Sequence, residues 1–395
     1  MARVLCAWEF GGDLGHIRRL IPIARELRAM GHDVVFALRD SSFLETARAQ
    51  GFETFIAPLL RAPRTVNPSP VSFPDILSNL GFDDRLGLAG ALRAWRSFYD
   101  LVAPDVLVAD YAPTALIAAR AARLARVTTG SGFSSPPLGD PMPGLRSWLK
   151  ADPNVLRALD ERLVQSVRAA LGAGEGAPRH AREIFEAHAH LVCTFSGLDP
   201  FGPREDVEYV GPQADAAEGA DVRWREEGGT RVFAYLKPRG SPFSAALAGL
   251  AALDAEVVVA APGLTPQAAH AQSTARMRVL GTAVALDAIL PGASLCVGHA
   301  GPGLGARALI AGVPMALLPL QLEQFLVARR MTAGGSAAMI SPEEPAPDFR
   351  AWFASILGND ALREAAAQHA RAHRAHCFVE ATRQAARRIA TVAGA

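Results

Sequence analysis

"ASLCVGHAGPGLGARALIAGVPMALLPLQLEQFLVARR", residues 293–330, holds a strand, a glycine turn, a helix, a second strand and a second helix in one run. The apolar residues up to His299 read as a buried strand, and a helix begins near Gly303. Gly312 sits where that helix ends, and Pro314 opens the next apolar run, VPMALLPL. Strand, helix and returning strand make the βαβ unit of a parallel sheet. The turn is also a ready anion site. The first N–H groups of a helix lack internal partners, its dipole points its positive end outward, and glycine lets a phosphate approach the backbone. His299 alone reads more simply as a structural histidine with satisfied ring nitrogens.

The same rhythm fills the chain. RVLCAWEF (3–10) reads as a buried strand, followed by a glycine turn and a helix from Leu14 to Met30. Leu14, Ile17, Leu20, Ile21, Ala24 and Leu27 share one face of that helix at 3.6-residue spacing, and Gly31 ends it before DVVFALR (33–39). DVLVAD (105–110), HLVCTF (190–195), TRVFAYL (230–236), AEVVVAA (255–261), RMRVLG (276–281) and ASLCVGH (293–299) repeat the strand signal. Apolar periodicity vanishes over 211–229, which predicts a linker between an N-terminal domain, 1–210, and a C-terminal domain, 230–375. Residues 376–395 predict a closing amphipathic helix that packs back on the N-terminal domain. The segments 57–85 and 130–148 are rich in proline and glycine with interspersed aromatics. Loops of that length are either plain surface connections or ligand covers.

Together these features resemble the glycosyltransferase family 1 enzymes of GT-B fold. The closest pattern is that of UDP-glycosyltransferases and macrolide-glycosyltransferase-like bacterial enzymes of secondary metabolism. The resemblance rests on the histidine and glycine turn, AGVPM, the LEQFLVARR helix, the N-terminal GH helix start and PDVLVAD. It implies two Rossmann-like, doubly wound α/β domains facing across a cleft. It also implies inverting transfer of a sugar from a nucleotide diphosphate to a hydroxyl of a small, apolar acceptor. His16 would be the general base and Asp110 the carboxylate that orients it; Asp13 is either the N-cap of the first helix or the base itself. His299, with Gly301 and Gly303, would contact a donor phosphate, Val284 would lie beside the base, and Glu323 and Gln324 would hold the transferred sugar. Phe73, Phe82, Phe133 and Trp148 would line the acceptor pocket.

Several positions depart from the family pattern. Leu304 stands where a phosphate-binding hydroxyl is usual, and Arg307 where a glutamate grips the ribose. Ala283, Ala285 and Leu286 replace the Trp, Pro and Gln of a base-stacking element, and LKPRGS replaces the first C-terminal glycine-serine loop. Lys237, Arg239 and Arg307 are therefore either solvated cations or substitutes that bond the diphosphate. A UDP- or dTDP-sugar is the expected co-substrate, with no further cofactor and no metal. A catalytically degenerate GT-B scaffold that acts as a binding or partner protein is the alternative, and a nucleotide-sugar epimerase or hydrolase is a third.

Composition limits the remaining classes. With 395 residues, half of them hydrophobic, the chain exceeds one ordinary core. A formal charge of +1 gives no reason to expect nucleic acid. No apolar run reaches the roughly 18 residues of a membrane span, and no signal-peptide pattern is seen, so a cytoplasmic monomer or homodimer is expected. The four cysteines are scattered, as reduced thiols are. His369, His373 and His376 have spacing that suits Zn²⁺ but lie on an arginine-rich terminal helix, where a solvated face is the simpler reading.

Overall fold

The computed structural model describes residues 1–394 apart from 13, 65, 173–175, 214–218, 226–227, 240–241 and 342. Asp13 therefore lies outside the described residues. The chain forms two compact units, Met1–Thr194 with Pro203–Ala216 and Cys377–Ala395, and Phe195–Gly202 with Ala217–His376.

Unit one holds a seven-stranded sheet. Its strands are β1 (Arg3–Trp8), β2 (Asp33–Leu38), β3 (Glu53–Ile56), β4 (Val106–Ala109), β5 (Ala125–Gly130), β6 (Ala189–Val192) and β7 (Glu208–Tyr209), in the order β3-β2-β1-β4-β5-β6-β7. Unit two holds β8 (Arg231–Tyr235), β9 (Glu256–Ala260), β10 (Met277–Leu280), β11 (Leu295–Gly298), β12 (Met315–Leu317) and β13 (Ala337–Met339), in the order β10-β9-β8-β11-β12-β13. Every pairing within them is parallel, for example Ala7↔Ala109 between β1 and β4 and Ala234↔Val297 between β8 and β11. The winding direction reverses once in each sheet, at β1/β4 and at β8/β11. Open α/β sheets bind ligands at the carboxyl ends of the strands at such a switch point.

The sheets form because both faces of the central strands are covered, so β4 can be apolar throughout and β1 apolar from Val4 to Trp8. The first helix, Gly15–Ala29, buries Ile17, Leu20, Ile21, Ala24 and Leu27 against β1. Each such Ile or Leu side chain contributes about 1.5–3 kcal/mol on burial. Gly31, at φ 86°, ends the helix, with His32 N–H donating to Leu27 O at 3.1 Å. The last helix, Phe378–Ala393, packs on the first, and its Ala385, Ala386, Ile389 and Val392 join the same core.

The partition differs from a single break at 211–229. Phe195–Gly202 belongs to unit two because Phe195 stacks on His373 with centroids 3.7 Å apart and Leu198 enters that unit's core. Part of the expected linker, 214–218 and 226–227, lies outside the described residues. The rest of its second half is integrated rather than loose. Ala220 forms a parallel bridge to Val284, Val222 is buried in the core, and Trp224 packs against it. Residues 57–85 contain a helix, Phe73–Asn79, and are pinned to 130–148 by the bridge Ser72↔Gly144 and by Leu145 N–H donating to Val71 O at 2.8 Å. Among the described residues no helix is long and apolar enough to cross a membrane.

Candidate active site

At the switch point of unit one, the turn after β1 carries Gly11 and opens the first helix, while β4 ends at Ala109 and delivers Asp110. His16 Nδ1 lies 2.8 Å from Asp110 Oδ1. An ionised carboxylate only accepts, so Nδ1 donates its proton to Asp110 and Nε2 is the nitrogen left facing outward. The ring stacks on Trp8 with centroids 4.9 Å apart. An added Cβ at Gly11, whose φ is +83°, would lie 2.6 Å from His16 Nε2. Glycine is therefore needed both for the turn and to leave that nitrogen approachable. Arg39 fixes this turn from β2 by donating Nη1–H to Gly11 O.

Asp110 is completely buried, yet its carboxyl stays below its usual range. Burial alone would raise it, but the charges of Arg19 and His16 and their hydrogen bonds outweigh that. Arg19 was not singled out in the sequence. Its Nε donates to Asp110 Oδ2 at 2.9 Å and its Nη2 to Oδ1 at 3.2 Å. The signal that could have found it is its i+3 position relative to His16, which puts both side chains on one helix face.

Glu9 is the second residue that was missed. It is buried at the end of an apolar run, itself a warning sign for a charged residue. It accepts from Thr114 N and Oγ1 at 3.1 and 2.6 Å and from Ala115 N at 2.6 Å, capping the helix Pro113–Ala121. Burial pushes its carboxyl up to about 8 against the pull of those bonds. The backbone between these anchors is bent at Tyr111, a non-glycine residue at φ 51°. Its ring lies 6.4 Å from His16, 6.3 Å from Phe73 and 6.2 Å from Phe133. Such conformations cost on the order of 1–3 kcal/mol and cluster at functional turns. Of the four aromatics assigned to an acceptor pocket, Phe73 and Phe133 thus join one group beside His16. By exposure, Phe82 at 0%, Phe73 at 1% and Phe133 at 7% are all buried, while Trp148 is 39% exposed.

Unit two repeats the arrangement. β11 delivers His299, and the next residue, Ala300, has φ 59°. Gly301 caps the helix Pro302–Ala311, which ends at Gly312 in the left-handed conformation. A Cβ added at Gly301 or Gly303 would meet nothing within 4 Å, so the helix N-terminus is approachable. His299, however, is held on both sides. Its Nδ1 lies 2.7 Å from Leu318 O, which can only accept, and its Nε2 then accepts from Lys237 N–H at 2.9 Å. In this arrangement both ring nitrogens are engaged with backbone groups. The ring ties the ends of β8, β11 and β12 together.

The remaining donor-side residues sit as follows. Leu304 packs on the core, where a Cβ at Gly298 would meet its Cδ2 at 2.6 Å. Arg307 donates to Asp287 Oδ1 at 2.6 Å. Buried Gln324 accepts from Leu320 N–H at 2.8 Å, and Glu323 lies in the first turn of the helix Leu322–Ala333. Ala283 O accepts from Ala220 N–H and Ala285 N–H donates to Ala220 O, at 2.9 and 3.0 Å, which holds the backbone around Val284 extended. Arg239 is exposed. His369 Nε2 faces Gly334 O at 3.1 Å and His373 stacks on Phe195, so the terminal histidines do not converge. Among the described residues no group of three or more His, Cys, Asp or Glu could hold a metal.

With this geometry in view, comparison with solved structures decides the fold. The glycosyltransferase of kitacinnamycin superposes with a TM-score of 0.72 at 21% identity, over 99% of each chain. The calicheamicin glycosyltransferase CalG4 does so with a TM-score of 0.72 at 18% identity, over 100% of this chain and 98% of that one. The chain has the GT-B fold. The spinosyn rhamnosyltransferase SpnG, in complex with thymidine diphosphate, shares it at a TM-score of 0.64 and 21% identity, over 96% of this chain and 98% of that chain. Residues 244–380 match the family described as the erythromycin biosynthesis protein CIII-like C-terminal domain. No curated protein matches the sequence. The GT-B fold implied by the resemblance is the one observed, and the family match covers the C-terminal part of the chain.

Proposed function

We propose that this chain is an inverting glycosyltransferase that moves a sugar from a nucleoside diphosphate to a hydroxyl of a small, largely apolar acceptor. The observation that carries the reading is the His16–Asp110 pair at the β1/β4 switch point, with His16 Nδ1 engaged by Asp110 and Nε2 left approachable by Gly11. In the reaction, the acceptor O–H proton passes to His16 Nε2 and the oxygen attacks the anomeric carbon. The bond from that carbon to the diphosphate breaks on the opposite face, and its electrons leave with the nucleoside diphosphate. Proton acceptance by a positioned base of this kind typically contributes a factor of about 10²–10⁴, and Asp110 offsets the charge on the imidazolium.

The donor's diphosphate suits the N–H groups of Gly303 and Leu304 at the N-terminus of Pro302–Ala311, aided by the helix dipole. With His299 committed to backbone, these amides take the larger share, and the nucleobase suits the extended backbone at Val284. Glu323 suits the sugar hydroxyls. Tyr111, backed by the buried rings of Phe73 and Phe133, supplies the apolar acceptor side. Structures of SpnG with thymidine diphosphate and VinC with dTDP make thymidine the first nucleotide to try and uridine the second.

The engagement of His299 and Arg307 and the side chain at Leu304 favour one competing reading, a GT-B scaffold that binds without catalysing. Thermal unfolding with dTDP, UDP and GDP separates the two. A ligand at 100 times its Kd stabilises by about 2.7 kcal/mol, a visible shift. A shift with one nucleotide, followed by acceptor-dependent release of that nucleotide from its sugar, supports the transferase. The absence of any shift favours the degenerate scaffold.

A further inference from the structure

The His16–Asp110 pair does not stand alone. Asp110 has no solvent contact, and Arg19 grips both of its oxygens: Nε with Oδ2 at 2.9 Å, Nη2 with Oδ2 at 2.8 Å and Nη2 with Oδ1 at 3.2 Å. Oδ1 is the same oxygen that accepts from His16 Nδ1. A side-on guanidinium fork of this kind fixes the carboxylate plane as well as its charge. The arginine side chain is itself only 14% exposed, so solvent screens the cluster weakly.

Charge counting gives the consequence. An isolated aspartate–histidine pair passes from −1 to 0 when the imidazole gains a proton. With Arg19 included, the cluster passes from 0 to +1 in a buried setting, and the protonated ring is disfavoured. The surrounding groups do not reverse this. Cys6 on β1 and Cys193 just past β6 are buried thiols pushed up by desolvation and stay neutral. The Tyr111 ring lies on the site's other side, Arg39 from β2 is engaged with Gly11 O, and Arg18 adds only further positive charge to the same helix.

We propose that Arg19 is a positioning residue that locks Asp110 in place and holds His16 in its unprotonated, proton-accepting form at neutral pH. The inference rests on the reading of His16 as base for its catalytic meaning, but not for its test. The His16 ring is titrated by NMR in the full chain, its signal assigned by loss in His16→Asn, and compared in wild type, Arg19→Met, Arg19→Gln and Arg19→Lys. Removing the charge in Arg19→Met or Arg19→Gln should raise the His16 pKa by about one unit, the low end of the effect of a neighbouring charge. Arg19→Lys, which keeps the charge, should stay near wild type. Either neutral variant decides the matter if the other fails to fold. An unchanged pKa in the neutral variants, or an equal rise in Arg19→Lys, overturns the inference. The acid limb of kcat/KM should move with the NMR value. If the NMR value moves and the rate profile does not, Arg19 keeps its role and His16 loses the role of base.

Discussion

Replacing Asp110 by Asn should cost stability as well as activity, and the amount follows from what Arg19 is left facing. The two side chains have nearly the same volume, so no cavity opens. The carboxamide keeps one accepting oxygen and turns the other position into a donor, aimed at groups that are themselves donors: Arg19 Nε and Nη2 and His16 Nδ1. A buried cation then loses its counter-charge, a loss of about 3–5 kcal/mol in comparable pairs. Because Arg19 retains 14% exposure and can turn toward water, the lower end, about 3 kcal/mol, is the expected value. For a unit of this size that corresponds to roughly 6–12 °C in Tm. Thermal and urea unfolding of Asp110→Asn and of the double variant Asp110→Asn/Arg19→Met provide the assay. The double variant should recover part of the loss, since the stranded charge is gone. If the two losses simply add, the reasoning is refuted. The pH dependence has a definite sign. Asp110 is depressed in the folded state, so its contribution is present above about 4, the unfolded value, and fades as pH falls through the folded value. Wild type and variant should therefore differ above about pH 4 and converge in acid.

Glu9 carries the opposite sign: burial raises it to about 8. Wild type should lose stability relative to Glu9→Gln as pH rises from about 4.3, the unfolded value, toward that figure, measured by urea titration at several pH values; a flat difference would show that Glu9 stays ionised. Gly11→Ala should cost only about 1–2 kcal/mol for its positive φ, yet lower turnover about 10²-fold by displacing His16 Nε2, 2.6 Å from the new Cβ; equal turnover would show that the ring is not the base. A thiol reagent should modify only exposed Cys377 in the folded protein and reach buried Cys6, Cys193 and Cys296 after denaturation.

Much of this was legible in the sequence where burial is two-sided. β1, β4, β8 and β11 are unbroken apolar runs, and the glycines at 31 and 312 mark helix ends. β3 (ETFI), β7 (EY) and β13 (AAM) were not legible, because two to four residues carry no periodicity. β5 (ARVTTG) was hidden by its threonines. These are buried only because partners on other segments satisfy them, Thr128 Oγ1 with His190 Nδ1 at 2.8 Å and Thr129 Oγ1 with Cys193 Sγ at 3.1 Å. The His16–Asp110 pairing could be anticipated from strand ends. For the third member the i+3 spacing puts Arg19 on the face of His16, but that it grips both oxygens of Asp110 is a tertiary fact. His299 was read both as a satisfied structural histidine and as a phosphate ligand; its bonds to Leu318 O and Lys237 N–H fit the first, through tertiary partners that the local pattern does not contain.

The central claim is that His16 removes the acceptor proton. Its most direct test measures acceptor-dependent turnover and nucleotide Kd side by side for wild type and His16→Asn. The account predicts a fall in turnover of about 10²–10⁴ with the Kd unchanged. Undiminished turnover, or a loss of nucleotide binding equal to the loss of rate, would contradict it.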